Sequence, residues 1–75
     1  MMKKGELIRI VSKKYNTRRF VTVESLHDDE SFIEVPTDTI ALFLGSHKAT
    51  CVAVYVQGFI GWVYGDEWES IENDN

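Results

Sequence analysis

The stretch Cys51-Val52-Ala53-Val54-Tyr55-Val56-Gln57-Gly58-Phe59-Ile60-Gly61-Trp62-Val63-Tyr64 decides how this chain is read. Two runs rich in β-branched and aromatic residues flank Gln57-Gly58, and such runs joined by a two-residue turn form a β-hairpin. A loop of that length fixes the register: Val56 faces Phe59, Val54 faces Gly61, and Val52 faces Val63. Side chains alternate along a strand, so these six share one face. That face is wholly apolar and is assigned to the core. The opposite face pairs Tyr55 with Ile60, Ala53 with Trp62, and Cys51 with Tyr64. In a one-layer wall it points outward, which sets Tyr55, Ile60, Trp62 and Tyr64 on the surface as a patch.

Upstream, the same short-strand rhythm recurs. Leu7 to Ser12, Arg19 to Glu24, Phe32 to Val35 and Thr39 to Leu44 read as strands, the third closed by Pro36 and the fourth by Gly45. His27-Asp28-Asp29-Glu30 is an acidic loop and Ser46-His47-Lys48-Ala49-Thr50 a connector. Asn73-Asp74-Asn75 is expected to fray. Thr37 to Leu44, with Asp38 as a cap, is the best helical candidate, but its β-branched and aromatic residues favour strand. Strands this short, without a helical period, give an all-β barrel or sandwich of five to seven antiparallel strands.

Seventy-five residues form one domain, 1–75, with one small core. Its 44% hydrophobic content is too high for a disordered chain. No apolar run approaches the roughly 20 residues of a membrane span. Met1-Met2-Lys3-Lys4 leads into Gly5-Glu6 with no apolar core, so neither a signal peptide nor a membrane partner is expected. Cys51 is the only cysteine, which excludes an internal disulfide and fits a reducing, cytoplasmic setting.

Charge is unevenly placed within the net −4. Up to Arg19 seven bases face Glu6 alone; from Phe20 onward Lys48 alone faces eleven acids. A basic contact surface on an acidic body would follow, unless folding mixes the two halves.

The closing segment, Gly61-Trp62-Val63-Tyr64-Gly65-Asp66-Glu67-Trp68-Glu69-Ser70-Ile71, resembles the end of Src-homology-3 domains. Gly61, Trp62, Val63, Gly65, Asp66, Trp68 and Ile71 fall at matching places over about eleven residues. The resemblance implies a small barrel, with Gln57-Gly58 as its distal hairpin and Gly65-Asp66-Glu67 as one short helical turn before the last strand. Two groove positions depart from that family: its proline is Tyr64 here and its tyrosine Glu67. Its Ala-Leu-Tyr-Asp-Tyr motif and paired tryptophans are absent too. Polyproline recognition needs those aromatic ridges, so the barrel is expected without that specificity. The chain looks more like the small uncharacterised Src-homology-3-like proteins of bacteria and tailed phages, which would place it in a cell's cytoplasm, a host's, or a virion.

No catalytic constellation stands out. His47 and Cys51 make one ligand pair where structural zinc needs two, and His27 stands apart. Asp28-Asp29-Glu30 lacks the alternating ligands and glycine of a calcium loop. Gly45-Ser46-His47-Lys48 lacks the core of a phosphate loop, and no nucleophile elbow occurs. Neither an enzyme, nor a metal, nor a cofactor is expected. The expected work is binding. Tyr55, Ile60, Trp62 and Tyr64 would anchor a protein partner, with Lys14, Arg18 and Arg19 steering it. That partner could be a second copy joined through its basic and acidic ends. The alternative is nucleic acid held by Lys13, Lys14, Tyr15, Arg18 and Arg19 on a 13–19 hairpin, as related barrels including KOW-type modules hold RNA.

Overall fold

The computed structural model describes residues 3–12, 19–28, 30–48 and 50–71. These form seven strands: β1 Leu7–Ile10, β2 Phe20–Ser25, β3 Phe32–Pro36, β4 Thr39–Ser46, β5 Cys51–Val56, β6 Phe59–Tyr64 and β7 Trp68–Ser70. All pair antiparallel in one sheet of order β3-β2-β6-β5-β4-β1-β7. Its two ends, β3 and β7, are not paired with each other, so the sheet is open. No helix occurs among the described residues.

The inward face explains the shape. Val21, Val23, Val35, Val54, Val63, Ile8 and Ile10 are each fully buried and belong to one cluster. Val35 lies on an edge strand and Ile8 near the other end of the order, so a flat sheet could not bring them together. The sheet curls over its own core, and valine supplies most of the filling.

The β5–β6 hairpin has the expected register at every pair, from Cys51 opposite Tyr64 to Val56 opposite Phe59. Gln57 and Gly58 both have positive φ, 53° and 80°, which is the type I′ turn whose twist matches the flanking strands. Glutamine has no short side chain to offset the left-handed backbone, whereas asparagine does. Gln57→Asn is therefore expected to raise stability by about 0.5 kcal/mol, read as a higher urea midpoint at unchanged slope.

Elsewhere the strand limits shift for identifiable reasons. β4 does not stop at Gly45. A bulge at Leu44, with Gly45 at φ 128°, lets pairing resume as Gly45 with Ala53 and Ser46 with Val52. β1 ends at Ile10 rather than Ser12, although Val11 N–H still donates to Glu67 O at 2.9 Å. Pro36 closes β3, which is an edge strand as proline requires. The chain then turns a corner at Thr37-Asp38, where Thr37 N–H donates to Arg19 O (2.9 Å) and Asp38 N–H to Ile10 O (2.6 Å). That corner stitches the β2–β3 hairpin to the β1–β4 pair.

Gly65-Asp66-Glu67, expected as a helical turn, belongs to a turn closed by Glu67 N–H donating to Tyr64 O at 3.0 Å. The Glu67 carboxylate returns the contact, its Oε1 accepting from Tyr64 N–H at 3.2 Å. Glu67 thus spends its side chain on the turn. At the sheet edge, Arg9 and Glu69 form an ion pair of 2.9 Å, which brings the basic start and acidic end of the chain together there. Both side chains are well exposed, so the pair adds under about 1 kcal/mol.

Candidate interaction surface

Register and burial together define the outward face. Tyr55 is 41% exposed, Ile60 38% and Tyr64 51%, whereas Val54, Val56 and Val63 behind them are sealed. Trp62 is half-buried. Its indole meets the Tyr64 ring edge-on at 5.1 Å and stacks on the His47 imidazole at 5.8 Å. The 46–50 connector holds that imidazole in place, since His47 N–H donates to Cys51 O (2.9 Å) and Cys51 N–H to Lys48 O (3.0 Å). The His47 ring thus packs on the indole, and Cys51 is a buried thiol. No group of three or more histidine, cysteine or carboxylate side chains placed to hold a metal ion occurs among the described residues.

The patch is larger than one hairpin. Tyr55 pairs with Leu42 on β4, and Leu42 pairs with Leu7 on β1. On the other side Leu26 N–H donates to Ile60 O at 3.3 Å, which places Leu26 beside Ile60. Leu26, Ile60, Tyr55, Leu42 and Leu7 make an uncharged row across the outside of the sheet. Four interstrand steps give it a length of about 19 Å. Sequence reading missed Leu7, Leu42 and Leu26 because their neighbours are non-local. Alternation within β1 and β4 could have shown which way they point, but not what they lie beside.

A second row runs next to it. Trp62 pairs with Glu24 on β2, and Glu24 pairs with Phe32 on β3. Phe32 is exposed. One carboxylate thus sits between two aromatic residues on neighbouring strands.

Of the basic residues proposed to steer a partner, Arg19 is exposed at the corner against Thr37. Lys13, Lys14, Tyr15 and Arg18 lie outside the described residues. The acidic β2–β3 loop is organised by Asp28. Its carboxylate accepts from Glu30 N–H (2.9 Å), Ser31 N–H (2.7 Å) and Ser31 Oγ–H (3.1 Å). The backbone bond from Glu30 and then those from Ser31 hold the Asp28 carboxyl below its ordinary range. Among the described residues no helix is long and apolar enough to cross a membrane. No known protein family, no curated protein and no solved structure matches this chain.

Proposed function

We propose that this chain is a non-enzymatic protein-interaction or assembly module on a small Src-homology-3-like barrel, whose partner docks on the outward face of β5 and β6. One observation carries the reading: Tyr55, Ile60 and Tyr64 stand in solvent on the far side of a sealed valine core, flanked by the Leu7–Leu42 extension. A contiguous exposed patch of this kind marks a contact site, and tyrosine and tryptophan give rigid area with a polar tip. The scaffold reading is supported by pairing of the first and last strands, β1 with β7, and by the β5–β6 hairpin's two-residue turn. The departures at Tyr64 and Glu67 keep proline-rich ligands out of it, Glu67 being engaged with the Tyr64 amide. Glu24 and Glu34 point outward from β2 and β3, and would repel nucleic-acid phosphates from this face.

Ile60 and Tyr64 are more exposed probes than Trp62, which packs on His47 and receives the Tyr64 ring edge-on. The double change Ile60→Ser with Tyr64→Ser is expected to leave the melting temperature within a few degrees. Binding to a partner cross-linked from the native source and then purified should weaken at least tenfold, about 1.4 kcal/mol. Equal affinity for the two proteins would overturn the proposal.

A further inference from the structure

We propose that the Phe32–Glu24–Trp62 row is a receptor for a cationic side chain, an arginine or lysine carried by an otherwise apolar partner segment. This inference rests on the interaction reading above and names the chemistry of its partner.

The case begins with the outward positions of the sheet. Four of them are charged: Glu24, Glu34, Arg9 and Glu69. Arg9 and Glu69 satisfy each other at 2.9 Å. The face is left with Glu24 and Glu34, and no strand position offers them a base. Glu34 is exposed and solvated, but Glu24 is half-buried. Among the described residues none gives the Glu24 carboxylate a hydrogen bond or ion pair. A partly desolvated carboxylate with no counter-charge among the described residues favours capture of a cation, because the attraction is weakened less by water than at an open site.

Its two neighbours sharpen the preference. Directly opposite residues on one face of an antiparallel pair have Cβ atoms about 4.5–5.5 Å apart. Phe32 and Trp62 therefore flank Glu24 on both sides within reach of one incoming group. Aromatic faces attract guanidinium and ammonium through their quadrupole, most strongly for tryptophan and arginine. Trp62 is held by His47 and Tyr64, so one wall of the receptor is preorganised. The apolar row Ile60–Tyr55–Leu42 lies alongside, ready for the partner's aliphatic side chains.

The test uses the whole chain and two synthetic amphipathic peptides, each with leucine on one face. One carries arginine on the other face and the second carries citrulline, its neutral isostere. Binding is followed by NMR through the Trp62 indole N–H and the Ile60 and Tyr64 amides. The arginine peptide is expected to bind, to shift all three signals, and to lose affinity with rising salt. Glu24→Gln should weaken it roughly threefold to tenfold while leaving the citrulline peptide unaffected. Equal binding of both peptides at Ile60 and Tyr64, or indifference to Glu24→Gln, sinks the cation receptor and leaves the docking face standing. No shift with either peptide sinks both. Concentration-dependent shifts of the same signals without peptide would assign the face to a second copy and also overturn the proposal.

Discussion

Gly61→Ala is expected to cost about 3 kcal/mol and to loosen the β2–β3 hairpin first. At 0.05–0.15 kcal/mol per residue, a chain of this size holds about 4–11 kcal/mol in all, so the loss is a large fraction. The cause is close backbone approach. A Cβ at Gly61 would run into the carbonyl oxygen of Glu24, and would also lie 2.7 Å from Val23 Cγ1 and 2.9 Å from Phe59 Cε2. Phe59 can swing away, but the Glu24 carbonyl belongs to the strand that must dock there. β2 joins β6 through only two paired positions, Glu24 with Trp62 and Ser25 with Gly61, helped by the bond from Leu26 N–H to Ile60 O. Pushing β2 outward breaks that seam and uncovers Val21 and Val23. Urea denaturation measures the loss, and amide hydrogen exchange should show β2 and β3 opening before β5 and β6. A midpoint change worth less than about 1 kcal/mol, or uniform loosening of all strands, would refute the crossing argument.

That glycine shows where sequence reading succeeds and where it stops. Gln57-Gly58 is a local signal: two residues between two alternating runs leave a single register, and six pairs follow from it. The valine side of the hairpin was legible for the same reason, as was the strand identity of Thr39 to Leu44, but Cys51 and Ala53, outward by register, are buried as well. Gly61 could be placed opposite Val54, but nothing local says that β2 crosses there. The Leu7–Leu42–Tyr55 row and the Phe32–Glu24–Trp62 row both depend on pairings between residues far apart in the chain. Bulges are equally opaque, since Gly45 reads as a strand stop when a left-handed glycine in fact lets β4 continue. His47 illustrates a third limit. Its spacing to Cys51 gave one ligand pair, too few for a zinc site, and only the folded connector reveals that its ring lies on Trp62.

The second large effect separates two neighbouring residues of β1. Ile8→Ala is expected to cost about 3–4 kcal/mol, and Leu7→Ala to stay within about 0.5 kcal/mol. Both changes delete three carbons from a branched aliphatic side chain at consecutive positions, so chain entropy and strand propensity nearly cancel in the comparison. Ile8 is fully buried, whereas Leu7 is 53% exposed. Ile8 pairs with Ala41 on β4 and Ser70 on β7. Neither is large enough to lean into the space that alanine would leave, and a cavity that cannot collapse keeps its full cost. Leu7 pairs with Leu42 on the outside, where water fills any gap. If the sheet curls as described, the two urea midpoints will therefore differ widely while the slopes stay equal. Similar midpoints for the two variants would mean that β1 does not present one face to the valine cluster and the other to solvent. The outer apolar row would then lose its β1 end, and the docking face would shrink to the β5–β6 hairpin.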